Sequence, residues 1–496
     1  MPEGGGAVAE SPGIGRPRRP LRLRGEVKRL ERVVPWVLGS VGALVAGWAA
    51  VRMPLLAAAG AVMLAVGLAL FLSLRASFLV FLVLVPFSSA TALPGHPELS
   101  LTKLALVILL TSWARERLSG TLAPTPKGAW GALLAVFVGT CVLSLTASVD
   151  LLRSVIALGR LLMFCGLAAA VADILRSADL LRRARSVILI TAVPVAAFGI
   201  YQFVSGKTVL GLGVHPDLGH MVWWQGLTQA SSVFDHPNVF ATYLLVYIAL
   251  AGAAFLTQRK AWALPLLALL MAAMLASLSR SGWIGLLATG AVLMLSRKRV
   301  LKIVPVAVAA ALLLFAVLPE ETQKGVLDRF TPRMDKSARA RVLAYRSAMR
   351  MIARHPVVGV GLGNFPTIFL DYKMPLARFP KNFMPGATGM EAHNTFISIW
   401  AETGPLGLVS FCALIAVALL HYGRICRRKP EMLGWAAAFV GVAVQSFFNN
   451  QHYEKMLWLL MGVALALSGA TTRAIPAHPP TEVRESADSA PAPSQS

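Results

Sequence analysis

A chain of 496 residues that is 56% hydrophobic and only 14% charged lies outside soluble globular composition, in which charged residues make up about a quarter. A net charge of +24 would suggest nucleic acid in a soluble protein. Here the basic residues gather in short loops beside apolar stretches, so membrane orientation explains them and no nucleic-acid partner is expected.

Residues 1–32 form a basic tail containing Arg16, Arg18, Arg19, Arg22, Arg24, Lys28, Arg29 and Arg32, expected to be disordered and cytoplasmic. No small-residue cleavage site closes a short apolar core, so the first span, Val33 to Val51, is expected to act as an uncleaved anchor. Apolar stretches long enough for a bilayer, or nearly so, follow at Pro54 to Leu74, Trp130 to Ala147, Leu151 to Asp173, Ser186 to Phe203, Val239 to Thr257, Trp262 to Leu278, Trp283 to Ser296 and Val304 to Leu318. Three more run from Thr395 to His421, Gly434 to Phe448 and Met456 to Ser468. Phe78 to Phe87 and Leu101 to Trp113 are short, so they are either tilted spans or a re-entrant pair. The fold class expected is therefore an all-α integral membrane protein of about 12–14 transmembrane helices. Its parts are the tail 1–32, an N-terminal bundle 33–318, a large outer loop 319–392, C-terminal helices 393–470 and a disordered cytoplasmic tail 471–496.

Loop charges set the orientation. Arg75, then Arg115, Arg117 and Lys127, then Arg176, Arg182, Arg183 and Arg185, then Arg259 and Lys260, then Arg297, Lys298 and Arg299, and finally Arg424, Arg427, Arg428 and Lys429 fall in loops expected inside. Short loops expected outside carry Glu98 and Asp150, with Arg52 a mild exception. The four cysteines, Cys141, Cys165, Cys412 and Cys426, lie in apolar spans or an inside loop, so no disulfide framework is expected.

Two outside loops are long, Gly206 to His236 and Pro319 to Ala392. In the second, Ala338 to Arg354 reads as an amphipathic helix along the outer membrane boundary, with Val342, Tyr345, Met349 and Ile352 on one stripe and Arg339, Arg346, Arg350 and Arg354 beside it. These arginines either snorkel to lipid phosphates or hold an anionic lipid-linked substrate. The run Gly359-Val-Gly361-Leu-Gly363-Asn364-Phe365 lacks the spacing of a dinucleotide fingerprint and reads as a tight turn packed on helix ends. His393 stands at the outer start of a long span, where the helix dipole favours neutral imidazole, and Gly404-Pro405 marks a kink in that span. Arg280, in Ser279-Arg280-Ser281, and His236 and Asn238, around Pro237, also fall at outer ends of spans. Arg153 and Arg160 lie within a span, where arginine is costly and marks either function or a buried or snorkelling group. No Asp-x-Asp pair and no His or Cys cluster has metal-ligand spacing, so no metal or other cofactor is expected, and arginine must supply positive charge.

Arg341-Val-Leu-Ala-Tyr345, His355 to Phe365, His393-Asn-Thr-Phe and Glu402-Thr-Gly404-Pro-Leu-Gly407, with Ser279-Arg280 and His236-Pro-Asn238 upstream, together resemble the O-antigen ligase and O-antigen polymerase superfamily. The resemblance implies a class-C glycosyltransferase-like membrane enzyme of the bacterial inner membrane, inverting and metal-independent. It would take a glycan from an undecaprenyl-diphosphate donor to a lipid A-core or other lipid-linked glycan acceptor at the periplasmic face. By position, His393 would be catalytic, Arg280 and Arg341 would bind the diphosphate, and Arg153, Arg160, His236, Asn238, Arg339 and Arg346 would be further substrate contacts. An anion carrier of bicarbonate type within the same superfamily, and a non-catalytic scaffold for envelope assembly, are the alternative readings.

Overall fold

The structure is a computed structural model that describes residues 65–93, 96–122, 128–209, 223–224, 227–295, 316, 320, 323–324, 336–372 and 390–472. The expected span Val33 to Val51, most of Pro54 to Leu74, nearly all of Val304 to Leu318 and both tails lie outside these residues. Helices α1 (Leu74–Leu84), α2 (Leu101–Leu118), α3 (Ala129–Ser144), α4 (Leu151–Ile174) and α5 (Ala178–Ser205) come first. After them follow α6 (Pro237–Gln258), α7 (Ala263–Ala276), α8 (Arg280–Leu295), α9 (Lys336–Arg354), α10 (Phe365–Tyr372), α11 (Thr395–Arg428), α12 (Leu433–Gln445) and α13 (Lys455–Thr472). Two small antiparallel ladders, Ala92–Leu93 with His96–Ser100 and Trp223–Trp224 with Leu227–Thr228, accompany them.

Five helices among the described residues are long and apolar enough to cross a membrane: Ala129–Ala147, Leu151–Ile174, Ala178–Ser205, Pro237–Gln258 and Thr395–Arg428. Their starts are set by local chemistry. The Asp150 side chain accepts the Arg153 N–H at 3.0 Å to open α4, and His236 Nδ1 accepts the Asn238 N–H at 3.0 Å to open α6, with Pro237 in the first turn. Gly206, in the left-handed region at φ 65°, ends α5. The two short early stretches are helices: Phe78 to Phe87 is covered by α1 and a 3₁₀ turn, and Leu101 to Trp113 extends to Leu118. They pack together, and the Thr102 hydroxyl donates to the Leu84 carbonyl at 2.7 Å.

Helix α6 lies at the centre, buried along nearly its whole length among α7, α8 and α12. The α8–α12 crossing is close because a Cβ on Gly441 would meet the Thr289 side chain and the Gly285 carbonyl, the small-residue contact by which membrane helices approach without a hydrophobic drive. A second apolar cluster seats α9 and α10 on α11 through Leu343, Ala344, Ala348, Met351, Phe365 and Phe369. This corrects the stripe read from the sequence. The seated face of α9 runs Leu343, Ala344, Ser347, Ala348 and Met351, while Met349 is exposed, because the small residues admit close contact with Ala392 and Ala401.

The two ends of the bundle differ. Where α2 and α4 finish, Asp173 accepts from Trp113 Nε1 and Arg176 at 3.0 Å each and lies 3.4 Å from Arg117. At the opposite end, the starts of α4, α6, α8 and α11 meet the Gly359–Phe365 loop and the 446–454 connection.

Candidate functional site

The site is organised by a break in α11. Pro405 has no N–H to donate to the Ala401 carbonyl, and Gly404 adopts φ 76°, ψ −177°, a conformation closed to other residues. Two carbonyls lose their helical donors, and a different segment restores them: Val360 N–H donates to Ala401 O at 2.9 Å and Gly361 N–H to Glu402 O at 3.1 Å. A Cβ on Gly404 would collide with the Val357 carbonyl, and one on Gly359 (φ 74°) with the Glu402 backbone, so each segment requires glycine in the other. The glycine run is thus a plug in a broken helix, which is closer than the turn on helix ends expected from the sequence.

The loop is also tied to the other side of the bundle. Asn364 is fully buried; its Nδ2 donates to Ser148 and Ser154 hydroxyls at 2.7 Å each, and its Oδ1 accepts the Asp150 N–H at 3.1 Å. Ser144 Oγ accepts the Leu362 N–H at 3.2 Å, and Glu402 Oε1 accepts the Phe365 N–H at 3.2 Å at the start of α10. These bonds join the large loop to α3, α4 and α11.

His393 precedes the cap of α11 with φ 49°, a left-handed conformation held from its C-terminal side. The Asn394 Oδ1 accepts the Phe396 and Ile397 N–H groups at 3.0 Å each, its Nδ2 donates to the Phe447 carbonyl at 2.9 Å, and its own N–H donates to Asn450 Oδ1 at 3.1 Å. The Thr395 hydroxyl donates to the Asn449 carbonyl at 2.7 Å. Burial, and secondarily the positive charge of Arg341, lower the His393 pKa from 6.5 to about 4. The imidazole is therefore neutral at pH 7, as the sequence suggested, but through desolvation and an arginine.

The other expected residues divide into three groups. Arg280 opens α8 beside Ser279, whose hydroxyl donates to Asn238 Oδ1 at 2.7 Å, and Ser281 accepts from Asn449 Nδ2 at 3.3 Å, so the residues on either side of Arg280 join the network at the start of α11. His236 and Asn238 serve that network and the start of α6 through their side chains. On α9, Arg341 is half-buried, Arg346 is exposed, and Arg339 lies about two turns before Arg346 in the same helix. Arg153 and Arg160 line a cavity of about 430 Å³ between α4, the glycine loop, the start of α11 and Tyr453. The Arg160 guanidinium lies 5.9 Å over the Tyr453 ring.

Sequence reasoning did not select Glu391, Asn450 or Tyr453, which also line that cavity. Glu391 accepts from Asn450 Nδ2 at 3.0 Å and keeps an exposed face, while the surrounding protein pushes its carboxyl above the usual range. Burial pushes Glu454, nearby in the chain, up to about 7 and lowers His452 to about 3. The signal was the polar run Asn449-Asn450-Gln451-His452-Tyr453 between two apolar helices.

This is a multi-pass, all-α integral membrane protein whose large loop is plugged into a broken helix, with a neutral histidine and arginines gathered at that end. Residues 264–412 match the family model of O-antigen ligase, which supports the O-antigen ligase and polymerase superfamily and, at family level, glycan transfer of the ligase or polymerase kind. The matched segment contains Arg280, Arg341, His393 and the Gly404 break. No curated protein matches the chain.

Proposed function

We propose that this protein transfers a glycan from undecaprenyl diphosphate to an acceptor sugar hydroxyl at the periplasmic face of the bacterial inner membrane, with both termini in the cytoplasm. The acceptor is lipid A-core for a ligase, or a lipid-linked repeat for a polymerase of O-antigen or exopolysaccharide. The observation that carries the reading is His393, neutral and locked in a left-handed turn beside Arg341 within the O-antigen ligase segment.

The acceptor oxygen forms a bond to the anomeric carbon as the bond from that carbon to the diphosphate oxygen breaks, with inversion. His393 takes the acceptor proton, and the departing lipid diphosphate carries its negative charge onto Arg280 and Arg341, whose guanidinium groups stay charged and fork onto phosphate oxygens. No metal is needed for that charge. A diphosphate on Arg341 also offsets the positive field at His393, so the imidazole becomes more basic when the donor is bound.

His393→Ala, purified in detergent and supplied with donor and acceptor, is expected to lose transfer while keeping its thermal stability; full activity would sink the assignment. Deletion of the gene separates the two acceptors. Uncapped lipopolysaccharide with accumulated lipid-linked polymer means a ligase, and short unpolymerised repeats mean a polymerase.

A further inference from the structure

One side chain reaches both sides of His393. Asn450 Oδ1 accepts the Asn394 N–H at 3.1 Å, one residue after the histidine, and Asn450 Nδ2 donates to Glu391 Oε2 at 3.0 Å, two residues before it. A carboxamide accepts through one atom and donates through another, which suits it to join a backbone N–H to a carboxylate. Asn450 thereby closes a ring around Ala392 and His393.

His393 needs that closure because a non-glycine residue at φ 49° persists only where its surroundings over-determine it. The Asn394 cap bonds to Phe396 and Ile397 fix the chain after the histidine. Before it, Ala392 is fully buried in the apolar cluster under α9, but apolar contact is non-directional and does not set the rotation of a peptide. The Glu391 bond supplies direction on that side.

Asn450 is itself firmly placed. The Thr395 hydroxyl donates to the Asn449 carbonyl and accepts the Gln451 N–H, at 2.7 Å each, so the residues flanking Asn450 are stitched to the first residue of α11. Asn449 Nδ2 donates to Ser281 on α8 at 3.3 Å, and Gln451 Nε2 donates to Thr242 on α6 at 2.9 Å. The Asn450 amide therefore carries the position of α6 and α8 to the turn that holds the histidine.

We propose that Asn450 is a positioning residue for His393: its amide ties the residues before and after the histidine into one rigid turn and so aims the imidazole at the acceptor hydroxyl. The assignment rests on His393 as the proton acceptor. Asn450 acts through that histidine, although it and Glu391 also line the cavity beside it.

The test is a polarity swap in the full-length protein. Asn450→Asp keeps an acceptor for the Asn394 N–H but has no hydrogen to give Glu391, and it sets two carboxylates against each other. It is expected to lower kcat at least about tenfold, with the KM for donor and acceptor within about twofold of the parent. Adding Glu391→Gln reverses the bond, because the new amide donates to the carboxylate at position 450, and should bring kcat back to within about threefold of the parent. Hydrogen–deuterium exchange of residues 391–395 should be faster in Asn450→Asp and return to the parent rate in the double variant. Asn450→Ala, which adds no second carboxylate, carries the same expectation for kcat, KM and exchange if Asn450→Asp does not fold. An unchanged kcat, a raised KM in its place, no recovery in the double variant, or faster exchange spread over α6 and α8 would each overturn the proposal. Full activity in His393→Ala would refute the histidine's role, whereas the exchange measurement needs no turnover, so the two readings fail separately.

Discussion

If His393 removes the acceptor proton, its two environments should appear as two different acid limbs in the pH dependence of transfer. In the free protein its pKa is about 4, lowered from 6.5 first by burial and then by Arg341. The kcat/KM profile reports the free enzyme and should turn down near pH 4; at pH 5 it keeps about nine-tenths of its plateau. The kcat profile reports the substrate complex, in which the donor diphosphate neutralises Arg341. Burial remains, so this limb should fall between 4 and 6.5. The upper bound corresponds to a loss at pH 5 of about 30-fold. The assay is transfer between purified donor and acceptor in nanodiscs from pH 4 to 8, followed by chromatography of the product. Arg341→Lys keeps the positive charge and should keep the kcat/KM limb near 4, whereas Arg341→Ala should move it upward while weakening donor binding. A kcat limb at or below the kcat/KM limb, or an Arg341→Ala limb that does not rise, would refute the reasoning.

Gly404→Ala forces a side chain into the Gly-only region against the Val357 carbonyl and should cost on the order of 2–6 kcal/mol, read as a lower Tm in detergent with faster amide exchange at Val360 and Gly361. Asn394→Ala removes a helix cap and a bond to Phe447, so a loss of about 1–2 kcal/mol is expected by thermal unfolding, together with reduced transfer as His393 loses its support. Arg280→Ala should weaken donor binding at least about tenfold in a titration with undecaprenyl diphosphate, and Arg280→Lys should restore only part, because an ammonium cannot make the bidentate contact. Falling pH should also destabilise the fold through His393. Its folded pKa lies below the unfolded value, so the unfolded chain gains a proton first, and stability declines as pH drops from 6.5 through about 4.

The membrane class and the approximate positions of the apolar described helices were legible in the amino-acid sequence, whereas α10 was not legible as a helix. Apolar run length and capping chemistry act within one element: Asp150, Pro237 and Asn394 do locally what their residue types do anywhere. The local signal also marked Gly404-Pro405 as a break and His393 as the residue before a helix. It erred on α9, because periodicity shows that a helix has two faces, while the neighbours decide which stripe is seated; Ala344 and Ala348 won over Tyr345 and Met349 by fitting closely against α11.

What the sequence alone determined, then, is a list of helices, their ends and the residues at those ends. Only the tertiary structure decided that Val360 and Gly361 supply the hydrogens that the break at Gly404-Pro405 withholds, that Asn364 closes the loop onto Ser148 and Ser154, and that Glu391 and Tyr453 share a cavity with Arg160. The physical reason is that a buried carbonyl or amide needs a partner, yet nothing in its own stretch of chain names one. Asn364 finds Ser148 across 216 residues, a pairing set by how α3, α4 and α11 pack.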